Sequence, residues 1–161
     1  MSSSDRVGFE AVEEYLRSRG IAHRVLEHPA TMTAVQEAER IGMPQRQVAK
    51  TVVLQDGRDY ALAVVPASER VDLHRLRELL GASKQLRLAT EAEIARDLPA
   101  LEVGAAPPFG PMSPKAEVID RRLLEDDEIV CAGGDHGHSV ALAAADVLRL
   151  TGAITADICE P

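Results

Sequence analysis

The chain has 161 residues, 45% of them hydrophobic but only 2% aromatic, with no Trp. Its core must be Ala, Val, Leu and Ile in one domain, and base stacking on several exposed rings is disfavoured as a way of binding single-stranded nucleic acid. The net charge of −8 is uneven: residues 1–100 carry 14 Lys and Arg against 15 Asp and Glu, whereas residues 101–161 carry 4 against 11. Phosphate neutralisation needs clustered cations, so DNA binding is not expected and any nucleic-acid contact should be small, local and made by the first hundred residues.

In chain order, Phe9, Val12 and Leu16 predict a helix stopped at Gly20, followed by a strand over 21–26. Thr33 with Gln36 is a capping-box pattern opening a helix that ends at Gly42 and Pro44. Apolar runs over 48–55 and 59–66 flank Asp56-Gly57, a hairpin signal. Asp72 caps a helix carrying Leu73, Leu76, Leu79 and Leu80, ended by Gly81. A short strand at 86–89 precedes a second capping box, Thr90 with Glu93, and a helix to about Leu98. A Gly/Pro loop covers 104–114, then strands at 116–120 and 128–132, a glycine turn at 133–137, a strand at 139–143 and a helix at 144–150 closed by Gly152. Hairpins and short crossovers point to an α/β (α+β) domain with a mixed β-sheet surrounded by helices, not a strict doubly wound parallel fold. Residues 1–8 are expected as a flexible tail and 9–161 as the domain.

The N-terminus has no basic and apolar leader pattern, and no apolar run approaches the roughly 18 residues of a membrane span. A cytoplasmic protein with no membrane partner is expected. Cys131 and Cys159 have no metal-ligand spacing and read as thiols in a reducing compartment. There is no G-x-S-x-G, H-E-x-x-H or P-loop motif. An enzyme built this way would act on an already activated substrate by positioning it and polarising its carbonyl.

Two stretches suit that task. Lys50 heads an apolar run and can act as a point charge on a phosphate or a carbonyl oxygen. Gly104-Ala105-Ala106-Pro107-Pro108-Phe109-Gly110 is stiff and uncharged, and can present backbone donors from Ala105, Ala106, Phe109 or Gly110. His28 precedes Pro29 on extended backbone and is placed beside the helix N-terminus capped by Thr33, where anions are favoured. His136 and His138 have same-face spacing on a strand, but spacing places no third metal ligand, so no metal and no cofactor are expected. His23 and His74 read as surface residues.

The order His28-Pro29, Val48-Ala49-Lys50-Thr51-Val52-Val53, Ala63-Val64-Val65-Pro66, Val103-Gly104 through Gly110, and Ile129-Val130-Cys131-Ala132-Gly133-Gly134 resembles the YbaK/prolyl-tRNA-synthetase-associated editing domain family, in a freestanding branch. The resemblance implies a mixed α/β fold with a curved central β-sheet and an aminoacyl-tRNA deacylase acting in trans on small amino acids joined to the wrong tRNA. It implies the aminoacyl-tRNA 3′ end as substrate and a synthetase as a further partner. By position it makes Lys50 and Gly104 the catalytic pair. By position it also matches Pro108 to the loop that grips the aminoacyl group and Gly133 and Gly134 to the pocket rim; with the residue reading, substrate contacts are expected from His28, Thr33, Ala106, Pro108, Phe109, Gly110, Gly133, Gly134, His136 and Ser139. Ser139 stands where some relatives carry Asp, Ala132 where some carry Ser, and residues 111–115 depart from the family pattern. Two other readings stand beside it: a non-catalytic aminoacyl- or nucleotide-binding or synthetase-docking module, and a metal-dependent hydrolase using His136 and His138.

Overall fold

A computed structural model describes residues 7–110 and 112–161. Helix α1 (Gly8–Ser18) buries Ala11, Val12 and Leu16. Val7 and Gly8, expected in the tail, belong to the fold: Gly8 opens α1 and its N–H donates to the Ala100 carbonyl at 2.6 Å. Strand β1 (His23–Glu27) leads to α2 (Ala34–Ile41), where the Thr33 hydroxyl accepts from Gln36 N–H. The Gln36 side chain reaches back to Met32 N–H at 2.9 Å, not to the Thr33 amide that a capping box would use.

Strands β2 (Ala49–Asp56) and β3 (Asp59–Pro66) form the predicted hairpin. Asp56 pairs with Asp59, so the turn residues are Gly57 and Arg58. Helix α3 (Leu73–Leu80) is capped by Asp72 and stopped by Gly81 in the left-handed region. The short β4 (Arg87–Leu88) precedes α4 (Glu91–Asp97), whose capping box has both of its bonds. Strands β5 (Ala116–Asp120), β6 (Glu128–Ala132) and β7 (His138–Ala143), helix α5 (Ala144–Thr151) and strand β8 (Ile154–Ala156) complete the chain. Strand β8 had no counterpart in the sequence reading. At three residues it is too short for alternation to show, and it pairs in parallel with the buried β5.

The strands fall into two sheets. One is antiparallel, in the order β1-β7-β6; the other is mixed, β4-β2-β3-β5-β8. A parallel bridge between Val48 and Val130 joins them at the start of β2. The β2–β3 hairpin has a different core on each face, as a period of 2 requires. Ala49, Val53, Leu62 and Val64 pack with α1 residues Val12 and Leu16. Leu54, Ala61, Ala63 and Val65 pack with Leu76 of α3 and with Ile158 and Cys159. Both cysteines are buried free thiols. His74 is exposed as expected. His23 is not: its side chain is only 11% exposed, with Nδ1 donating to Ile21 O and Nε2 2.8 Å from the Glu13 carboxylate, so it ties β1 to α1.

Strand β4 pairs only with Leu54 and Gln55, which leaves the start of β2 open on that side. The cavity described next lies against this opening. No helix among the described residues is long and apolar enough to cross a membrane.

Candidate active site

A cavity of about 330 Å³ is lined by the 28–34 segment, Glu37, the start of β2, Leu88, Ile94, the loop 104–106, Ala132 and the turn 135–138. It brings His28, Thr33, Lys50, Gly104, Ala106 and His136 together from across the sequence. Pro108, Phe109 and Gly110 do not reach it. They line a second cavity of about 380 Å³ with Tyr15, Glu117 and Leu150. Phe109 is 3% exposed and stacks on Tyr15 at 5.9 Å, so the far half of the loop anchors in the core while the near half faces the first cavity. Pro111 lies outside the described residues.

Gly133 and Gly134 shape the turn next to the cavity and are not in its lining. A Cβ on Gly133 would stand 2.9 Å from the His138 carbonyl oxygen, and one on Gly134 2.5 Å from that of Gly8. Glycine at both positions lets the backbone approach this closely. Gly104 sits at φ +86°, and its Cβ position is 3.5 Å from the His136 ring. Any side chain there is strained and meets His136.

Of the loop donors expected from the sequence, Ala105 is already used: its N–H donates to Glu102 O at 3.0 Å, while its carbonyl accepts from Gly134 N–H. Ala106 follows on the cavity wall, and no backbone partner among the described residues takes its N–H. Pro107 and Pro108 have no N–H and fix the chain that holds Ala106 in place.

Lys50 borders the cavity, but its Nζ donates to the carbonyl of Glu69. The alternation of β2 explains why. Lys50 lies opposite Val65, on the face packed against Cys159, while Thr51 lies opposite Val64, on the face that includes Ala49 and Val53. Burial lowers the pKa of the Lys50 ammonium, and the nearby Arg70 charge adds to this. Thr51, which the sequence reading passed over, lines the cavity with a buried hydroxyl that has no hydrogen-bond partner among the described residues.

The opposite wall is polar and closely bonded. His138 Nδ1 lies 2.8 Å from Asp135 Oδ1, and its ring stacks on Phe9 at 4.1 Å. His136 Nε2 lies 3.5 Å from Glu102 Oε2. Among the described residues no three His, Cys, Asp or Glu are grouped to hold a metal ion. His28 Nδ1 donates to Pro29 O at 2.9 Å, and Nε2 lies 2.8 Å from Ser139 Oγ. Ser139, fully buried, also makes a short hydrogen bond to Glu37 Oε2. Ser139 therefore acts behind the wall and not on it. Glu37 and Asp135 were missed because an acid beside a helix start, or in a turn, reads first as a solvated charge.

Residues 28–150 match the aminoacyl-tRNA editing domain family. The chain belongs to that family. It is 26% identical over 148 residues to the prolyl-tRNA editing protein ProX of Acetoanaerobium sticklandii, covering 88% of each chain. Among solved structures, a candidate trans-editing enzyme for prolyl tRNA synthetase superposes with a TM-score of 0.85 at 31% identity, over 95% of this chain and 97% of that one. The hypothetical protein APE2540 superposes with a TM-score of 0.83 at 27% identity, over 93% and 99%. The YbaK-like fold expected from the sequence is thus the fold of this editing domain.

Proposed function

We propose that this editing domain is an aminoacyl-tRNA deacylase acting in trans, hydrolysing the ester that joins a small amino acid to the wrong tRNA. One observation carries the reading: residues spread from His28 to His138 meet on a single cavity beside the open start of β2. Its volume is at the low end of the roughly 300–1,000 Å³ typical of small-ligand sites, and Ala49, Ala105, Ala106 and Ala132 contribute small apolar walls. That suits an aminoacyl ester with its ribose. A small pocket edits by excluding larger side chains, because one methylene in a hydrophobic pocket contributes only about 1–3 kcal/mol to discrimination.

Water adds to the ester carbonyl, the carbonyl oxygen takes up negative charge, and the bond to the ribose oxygen then breaks with proton transfer to that oxygen. The Ala106 N–H is the donor suited to the oxyanion. The Thr51 hydroxyl is suited to the amino acid or the ribose. Lys50 takes the phosphate or carbonyl oxygen by exchanging its single bond to the Glu69 carbonyl for an anionic acceptor, which gives the stronger hydrogen bond.

One observation favours the binding-module reading: the Lys50 ammonium is engaged on Glu69 rather than in the cavity. A screen of tRNAs charged with Ala, Ser, Cys and Pro separates the two. Release of one small amino acid, lost in Lys50→Ala, supports the deacylase. Binding of charged tRNA with no release from any of them would establish the module.

A further inference from the structure

The chain His28–Ser139–Glu37 has a proton inventory fixed by its geometry. The Pro29 carbonyl can only accept, so His28 Nδ1 carries a hydrogen. Two bonds remain, from Nε2 to Ser139 Oγ and from Oγ to Glu37 Oε2, and each needs a hydrogen. The serine hydroxyl supplies one. The other must sit on Nε2 or on the Glu37 carboxyl.

We propose that Glu37 and Ser139 are positioning residues that share one exchangeable proton with His28 and so make His28 a switchable cation in the cavity wall. In one arrangement Nε2–H donates to Oγ, and the serine hydroxyl donates to the Glu37 carboxylate. In the other, the Nε2 proton has moved to Oγ and the serine proton to Oε2, leaving a neutral ring and a neutral carboxyl. Both arrangements satisfy every bond, and no atom is gained or lost between them. Losing the shared proton instead leaves two acceptors facing each other in a site where Ser139 is 0% and Glu37 5% exposed. An unmade bond there carries the cost of a desolvated polar group.

Burial pushes the Glu37 carboxyl above the ordinary carboxylate range, which favours the arrangement in which the carboxyl is neutral. The surrounding groups are otherwise engaged. Cys131 of β6 senses the Glu37 charge and is held protonated by complete burial. Asp135 is bonded to His138, His136 faces Glu102, and Lys50 faces Glu69. His28 and Glu37, which both line the cavity, are thus the residues whose charges this proton decides. The shared proton does not depend on the deacylase reading; only its effect on rate does.

The test is ring-nitrogen and carboxyl-carbon NMR of the full chain across about pH 5 to 9, the window in which imidazoles ordinarily titrate. Loss of a shared proton must register at His28 and at Glu37 with one common midpoint. Separate midpoints would overturn the relay. Glu37→Gln keeps the bonds without the extra proton, because its amide donates to Oγ and turns the serine hydroxyl toward Nε2. The ring is then uncoupled from a titrating carboxyl and its midpoint is expected to move from that of the wild type, and a ring titrating as in the wild type would refute the proposal. If that variant does not fold, the wild-type titration alone decides. In deacylation, Glu37→Gln is expected to lower kcat/KM about tenfold near neutral pH, about 1.4 kcal/mol, and to flatten the pH profile. A profile identical to the wild type contradicts the switch. If the wild type releases no amino acid, the deacylase reading falls while the NMR result still decides the relay.

Discussion

The two cavities share one loop and treat their acids in opposite ways. Gly104–Ala106 faces the first cavity, where Glu37 is bonded to Ser139 and through it to His28. Pro108–Gly110 faces the second, where Glu117 has a buried Oε2 with no hydrogen-bond partner among the described residues. Burial raises both carboxyls, Glu117 to about 8. The difference teaches that burial alone does not make a site. An acid with partners can hold and pass a proton, whereas an acid without them only destabilises the fold when it ionises.

Substitutions in each cavity sharpen the contrast. The largest effect is expected in the second. Phe109→Ala should cost about 3–5 kcal/mol of stability in a denaturant titration, with the rate per folded molecule unchanged; a lost rate without lost stability would move Phe109 into the active site. Lys50→Ala should lower kcat/KM at least a hundredfold, about 2.7 kcal/mol, while the melting temperature holds. Equal activity would remove the lysine from the chemistry.

Glu117→Gln comes next, and its sign follows from linkage. The folded-state pKa lies above the ordinary value of 4.5, at about 8. The contribution of the neutral group is therefore fully present below pH 4.5 and is lost as pH rises toward about 8. Gln should leave stability unchanged at about pH 4 and raise it by on the order of 1–3 kcal/mol near pH 8. An equal effect at both pH values would show that the carboxyl does not titrate with folding. The smallest change is Thr33→Ala, which removes the α2 cap and should cost about 1 kcal/mol, read as a small shift in the denaturation midpoint. A loss several times larger would mean that the cap also holds the cavity wall.

Local signals were legible. The Thr33, Asp72 and Thr90 caps, the β2–β3 hairpin and the stops at Gly42, Gly81 and Gly152 follow from neighbouring residues, and all are found. Lys50 and Gly104 could be singled out because a lone cation and a glycine-rich loop stand out from their surroundings. The division of the 104–110 loop was not legible, because Tyr15, on which Phe109 packs, lies far back in the chain. Glu37 and Ser139 are 102 residues apart and carry no periodic mark of their contact. The direction of Lys50 was available from strand alternation, but only once the two faces of β2 had been assigned to different cores.

The most direct test of the central claim is single-turnover hydrolysis, with enzyme in excess, of one tRNA carrying in turn a small and a large amino acid. Rapid release of the small residue, with the large one left intact, is the result this account predicts. Equal rates for both, or release no faster than in buffer, would contradict an ester-cleaving site in the cavity beside β2.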